Sequence, residues 1–172
     1  MILIGIGSNL PSPKYGQSRA VCEAALVALG EAGLRIAVRS RWYESAPVPA
    51  TDQPWYVNGV AWVDTELGPE PLLQVLHRIE ADFGRVRTTL NAARILDLDL
   101  LAYDDRIIHG EGGVILPHPR LAERAFVLLP LADIAPSWRH PASGRSISEL
   151  ISSLPGDWTA RPLQGGNAGE SF

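Results

Sequence analysis

Arg94-Ile95-Leu96-Asp97-Leu98-Asp99-Leu100-Leu101 is the stretch on which the fold turns. Leucine and aspartate alternate through it, and on a β-strand residues two apart share a face. The period predicts a strand over 95–103 whose Leu96, Leu98 and Leu100 enter a core. Asp97 and Asp99 then lie side by side on the other face, with Cα atoms about 7 Å apart. Just upstream, 85–93 is polar and aperiodic and reads as a loop. Before that loop, Leu72, Val75, Leu76, Ile79 and Phe83 recur at helical spacing behind Gly68-Pro69-Glu70-Pro71, and Gly84 is the stop. Residues 56–65 are apolar, β-branched and aromatic, hence a strand. Residues 45–54 hold three prolines and read as an ordered irregular loop. Over 35–43, Ile36, Val38 and Trp42 point one way and Arg35, Arg39 and Arg41 the other, as in a half-buried strand. A helix over 17–29 presents Val21, Ala25, Leu26 and Leu29 on one face. Residues 2–6 open the chain as a buried strand, followed by the turn-rich Gly7-Ser8-Asn9-Leu10-Pro11-Ser12-Pro13.

The resulting order, β-α-β-β-α-β, predicts an α+β, ferredoxin-like core: an antiparallel sheet covered on one face by helices. Beyond it, the sequence predicts a short strand over 106–108, a flexible link over 110–113 and a helix over 121–131. A last helix to residue 153 starts at a capping box, Ser146 with Glu149. Residues 1–164 read as one domain, and 165–172 as a disordered tail.

The chain has 172 residues and a net charge of -4, with 15 basic residues of which only Lys14 is lysine. An acidic chain is a poor general nucleic-acid binder, since non-specific affinity comes from neutralising phosphates. The arginine excess reflects either codon bias or a need for planar, permanently charged forks that grip phosphate. Cys22 is the only cysteine, which excludes an intrachain disulfide and cysteine-rich zinc sites and suits a reducing compartment. No apolar run approaches a membrane span and no basic segment heads the chain, so the expectation is a cytoplasmic protein; a monomer is the expected state, although no motif fixes it.

Several chemistries are excluded by missing motifs. Gly5-x-Gly7 lacks the third glycine of a dinucleotide fingerprint, no Walker A pattern precedes Lys14, and no Gly-x-Ser-x-Gly elbow is present. His77, His109, His118 and His140 lack metal-ligand spacing. The aspartates are more informative. Adjacent carboxylates repel each other, and strands are depleted in aspartate. Either they lie on a solvated face and pair with nearby arginines, or they share a divalent cation. Magnesium suits them, because it takes hard oxygen ligands and keeps substrate phosphates in its shell. Arg85, Arg87 and Arg94 lie in the loop feeding this strand, where phosphoryl transfer would need cations. His118, Arg120 and Arg124 offer a second basic group; ordinary surface arginine is the alternative. Trp55 and Tyr56 alternate in direction, so one of them can face a pocket for a planar ring.

Taken together, these residues resemble the 6-hydroxymethyl-7,8-dihydropterin pyrophosphokinase family of folate biosynthesis. The resemblance runs from about residue 2 to 131. It rests on Gly7-Ser8-Asn9-Leu10, Asp52-Gln53-Pro54-x-Tyr56-x-Asn58, Gly84-Arg85-Val86-Arg87, Arg94-x-Leu96-Asp97-Leu98-Asp99, Pro117-His118-Pro119-Arg120 and Arg124-Ala125-Phe126-Val127-Leu128 in that order. It implies a ferredoxin-like fold, ATP as co-substrate, and transfer of a pyrophosphoryl group to the pterin's hydroxymethyl oxygen with release of AMP. It implies two Mg2+ ions on Asp97 and Asp99, and catalytic roles for these two with Arg85 and Arg94. Glu80, Arg85, Arg87, Arg94, His118 and Arg124 match ATP-binding positions. Ser45, Val48, Tyr56, Asn58 and Phe126 match pterin-binding positions. The chain departs from the family's pattern at Ala46, His77, Thr88, Leu90, Asn91 and Ala93. Two other classes compete: a nucleotidyl transferase or cyclase, which would release pyrophosphate, and a ferredoxin-like ligand-binding domain with no activity.

Overall fold

The structure, a computed structural model, describes residues 1–47, 49–85, 93–110 and 113–164. In chain order the elements are β1 (Ile2–Ser8), α1 (Ser18–Glu31), β2 (Arg35–Arg39), β3 (Tyr43–Ser45), β4 (Tyr56–Asp64), α2 (Pro69–Asp82) and β5 (Asp97–Tyr103). The hairpin β6 (Ile108–His109) and β7 (Ile115–Leu116) follows, then a 3-10 turn (Leu121–Glu123), α3 (Ala125–Ile134), α4 (Ile147–Ser152) and β8 (Ala160–Pro162).

β1 is apolar along most of its length and sits in the middle of the sheet, antiparallel to β4 on one side and β5 on the other. The outer edge of β4 is divided: β2 pairs with its Ala61–Asp64 half and β3 with its Tyr56–Asn58 half. The order β5-β1-β4-β2 is the antiparallel arrangement expected of a ferredoxin-like βαββαβ core, and β8 extends it beyond β3.

Helices cover both faces rather than one. On one face, Val21, Leu26 and Leu29 of α1 and Leu72, Leu76 and Ile79 of α2 pack on Ile4, Val63, Leu98 and Leu100. On the other, Leu128 and Leu131 of α3 and Ile147 and Leu150 of α4 close over Leu3, Val60 and Leu101. The apolar period of the βαββαβ segment already accounted for the first layer; the second is built from the chain that follows it. Leu96, Leu98 and Leu100 are core residues as expected.

The edge departs from the expected single strand over 35–43. Ile36 pairs with Val63 and Val38 with Trp62, so Ala37 is one residue extra and the strand bulges there. The alternation reverses after the bulge, and Arg39 becomes buried with its guanidinium 5.7 Å from the Trp42 ring centre. The expected helix over 121–131 is also split. Arg124 takes an extended conformation, φ -110 and ψ 106, between the 3-10 turn and α3. α3 then runs through Pro130, which has no N–H to give the carbonyl four residues back. The capping box of α4 forms as expected: Ser146 Oγ accepts from Glu149 N–H at 3.3 Å and Glu149 Oε2 accepts from Ser146 N–H at 2.6 Å. The tail over 165–172, the expected ligands Val48 and Arg87, and the departures at Thr88, Leu90 and Asn91 lie outside the described residues.

Candidate active site

The site is laid out by register. Gly7 pairs with Asn58 on one side and Asp97 on the other, and Gly5 pairs with Asp99. Glycine at position 7 leaves a trough free of a side chain between Asp97 of β5 and the amide of β4, whereas Gly5, level with Asp99 and Val60, is covered by Leu101. A Cβ on Gly7 would stand 2.9 Å from Asn58 Oδ1. Sequence reasoning set Gly5 and Gly7 aside as an incomplete nucleotide fingerprint. The signal at Gly7 was different: a residue without a side chain on a central strand, level with polar residues on both neighbours.

Asp97 is gripped from two sides. Arg85 Nη1 and Arg94 Nη1 each donate to Asp97 Oδ1 at 2.8 Å. Arg85 reaches it because of how α2 ends. Gly84 has φ +89, a left-handed turn that a side chain would strain, and Arg85 N–H then donates back to the Glu80 carbonyl at 3.0 Å. That fold-back also sets the Arg85 guanidinium against the Glu80 carboxylate. Glu80 is 1% exposed, and its Oε1 accepts from Leu98 N–H at 2.7 Å, covering the outer edge of β5. One carboxylate therefore joins helix, strand and arginine.

Asp99 faces a second group. Arg124 Nη1 donates to its Oδ2 at 3.0 Å, and His118 Nε2 lies 3.9 Å from its Oδ1. The extended conformation of Arg124 is what brings its side chain from the start of α3 to β5. Burial pushes the His118 imidazole below its ordinary value, against the pull of Asp99 and with help from Arg124, so the ring is neutral at pH 7. Its Nδ1 accepts from Arg120 N–H at 3.1 Å, leaving Nε2 toward Asp99.

Beside the carboxylates opens a cavity of about 310 Å3, with Gly7 and Asn58 on its floor, Tyr56 and Phe126 in its walls and Arg94 and Asp97 at one end. Asn58 is buried and oriented by Ser45, whose Oγ accepts from Asn58 Nδ2 at 2.8 Å. Burial pushes the Tyr56 phenol up, so it stays protonated. Trp55 is the outward member of the pair, 42% exposed, with the Arg161 guanidinium 5.3 Å from its ring centre.

Asn9 ties the two halves together, a role that its place in a turn-rich loop did not reveal. Its side-chain amide donates to Gln53 Oε1 at 3.1 Å and to the Pro54 carbonyl at 3.3 Å, while its Oδ1 accepts from Arg94 N–H at 2.8 Å.

The expected site residues Ser45, Tyr56, Asn58, Glu80, Arg85, Arg94, Asp97, Asp99, His118, Arg124 and Phe126 thus converge on one end of the sheet. Among the described residues no group of three or more His, Cys, Asp or Glu forms a metal cage. Two carboxylates on one strand face, beside a trough with room for substrate, nevertheless fit magnesium, which commonly takes one or two protein carboxylates and completes its shell with phosphate and water. The arrangement places a slot for a flat polar ring against an anion site with a neutral imidazole and three arginines.

Known proteins are similar to this chain. Residues 3–136 match the family described as 7,8-dihydro-6-hydroxymethylpterin-pyrophosphokinase. A 2-amino-4-hydroxy-6-hydroxymethyldihydropteridine pyrophosphokinase of Synechocystis is 40% identical over 88% of this chain and 75% of its own length. The protein of the same name from Pseudomonas aeruginosa is 40% identical over 90% of this chain and 91% of its own. A solved HPPK-DHPS structure in complex with substrates superposes with a TM-score of 0.69 over 88% of this chain and 42% of that one, at 15% identity, a likeness of fold. Among the described residues no helix is long and apolar enough to cross a membrane. This chain belongs to the 7,8-dihydro-6-hydroxymethylpterin-pyrophosphokinase family.

Proposed function

We propose that this chain transfers the pyrophosphoryl group of ATP to the hydroxymethyl oxygen of 6-hydroxymethyl-7,8-dihydropterin, giving AMP and the pterin diphosphate, the pyrophosphokinase step of folate biosynthesis. The observation that carries the reading is the shared register of Asp97, Gly7 and Asn58, which sets a slot for a flat ring directly beside a carboxylate pair rimmed by arginines.

The pterin lies between Tyr56 and Phe126, whose faces suit a planar ring. Asn58, held by Ser45, can donate and accept along the pterin's polar edge. Val48 belongs to the same pterin-binding set by family position. ATP lies along Arg85, Arg87, Arg94, His118 and Arg124. Glu80 holds Arg85 in place, so the guanidinium is set before substrate arrives. Asp97 and Asp99 are the residues that would hold the two Mg2+ ions. Magnesium bound there would supply charge neutralisation on phosphate oxygens, while Arg85, Arg94 and Arg124 beside the two carboxylates supply fixed positive charge for the phosphates. The hydroxymethyl oxygen attacks the β-phosphorus in line and releases its proton to water, its bond to that phosphorus forms as the bond to the AMP oxygen breaks, and AMP leaves. Orientation and charge do most of the work. Residues 1–164 act as one domain, as a monomer in the cytoplasm.

The test is incubation with ATP, Mg2+ and 6-hydroxymethyl-7,8-dihydropterin, with products separated by chromatography. AMP and pterin diphosphate in equal amounts are expected. ADP, pyrophosphate, or no turnover by folded protein would overturn the assignment.

A further inference from the structure

The cavity has a wall that the expected pterin residues do not account for. Pro155, Asp157, Trp158 and Thr159, between α4 and β8, and Ala160, the first residue of β8, line the same space as Tyr56 and Phe126. Their position is set by backbone pairing. Ala160 pairs with Ser45 in the β3–β8 ladder, and Ala46 N–H donates to the Thr159 carbonyl at 3.2 Å. Beyond them, Leu163 N–H donates to the Trp42 carbonyl at 2.8 Å. The segment is thus bonded to the residues that carry Asn58's partner, Ser45, and cannot move without them.

Trp158 is the residue of chemical interest. The chain's other tryptophans are accounted for. Trp42 and Trp138 are buried, Trp62 packs against the α3–α4 core, and Trp55 is capped by Arg161 outside the cavity. Trp158 lines the cavity and is 36% exposed. A large indole left open to a slot for a flat ring has its stacking surface unused in the free protein.

We infer that Trp158, carried on the β8 segment, is a further ring-binding and positioning residue that packs against the pterin at the mouth of the pocket. The inference rests on the pterin reading of the cavity. Stacking of two aromatic rings changes affinity by about three- to tenfold, and the effect belongs to the ring substrate alone.

The experiment uses the full chain with Mg2+ and a non-hydrolysable ATP analogue, titrated with 6-hydroxymethyl-7,8-dihydropterin by calorimetry and by tryptophan fluorescence. Trp158→Ala is expected to raise the pterin Kd about three- to tenfold with the analogue's Kd unchanged, and Trp158→Phe to recover most of the loss. In the wild type, pterin quenches indole emission, and Trp158→Phe removes a measurable share of that quenching. The phenylalanine variant preserves an aromatic ring on the segment, so its fluorescence readout stands even if the alanine variant unfolds. Unchanged pterin affinity and unchanged quenching would overturn the inference, as would an equal loss for both substrates. A wild-type chain that binds the analogue but no pterin would instead overturn the functional reading beneath it.

Discussion

Asn9 holds the Arg94 backbone from both sides: its Oδ1 accepts the Arg94 N–H at 2.8 Å, and its own N–H donates to the Arg94 carbonyl at 3.1 Å. Asn9 is buried, and the same side chain reaches Gln53 and Pro54. Asn9→Ala strips the Arg94 amide of its acceptor and should cost about 1–3 kcal/mol of stability, read by denaturant unfolding. Turnover should fall further than stability explains, because Arg94 and the 45–54 loop lose their common anchor. A variant with wild-type kinetics would show that the anchor is dispensable.

Asp97→Ala and Asp99→Ala should each reduce turnover by about a thousandfold or more while circular dichroism stays native. The readout is AMP formation across a Mg2+ titration. Near-normal activity in either variant would remove the metal assignment and restore the simpler reading, in which these carboxylates only pair with arginines.

Arg85→Ala should lower kcat by about 10²–10³ while the pterin Kd moves within about twofold. Arg85 touches Asp97 and Glu80, and it is not among the residues lining the cavity. Parallel losses in kcat and pterin binding would argue for a structural role.

Gly7→Ala tests the trough. The added methyl meets Asn58 Oδ1 at 2.9 Å, so the amide must give way or the strands must separate. The expected outcome is a pterin KM raised by about tenfold or more with the ATP KM little changed. The cost in stability should be about 1–3 kcal/mol. Equal effects on both substrates would mean that the strands had moved rather than the amide.

Burial, helped by Arg145, holds His140 below its ordinary value, so the folded chain binds that proton more weakly than the unfolded chain does. Its contribution to stability is complete above about pH 6.5 and is lost as pH falls from there. Denaturant unfolding should show stability decreasing from about pH 7 to pH 5, and His140→Gln should flatten part of that slope. His118 shifts in the same direction, so the single variant leaves a remainder. A slope that His140→Gln does not change would show that this group does not titrate on unfolding.

Much of this was legible before any coordinates. Leu96, Leu98 and Leu100 declare their face by period alone, and the Ser146–Glu149 box declares the start of α4 by chemistry at fixed spacing. What was not legible depends on partners distant in the chain. The reversal at Arg39 comes from one extra residue against β4, and nothing local marks Ala37 as a bulge. β8 is three residues long and is defined by β3. Arg85 beside Asp97 was readable from the loop that feeds β5, but Glu80 only as a family position; the left-handed Gly84 supplies the mechanical cause of their convergence.

The extended residue that separates the 3-10 turn from α3 has a consequence for how this chain can change length. Arg124 meets Asp99 and Phe126 walls the ring slot, with only Ala125 between them. Inserting or deleting one residue there would swing one group about 100° around the helix axis relative to the other. On the proposed reading, the groups that would face the two substrates therefore share a single stride of backbone, and a surface loop can be lengthened far more safely than this joint.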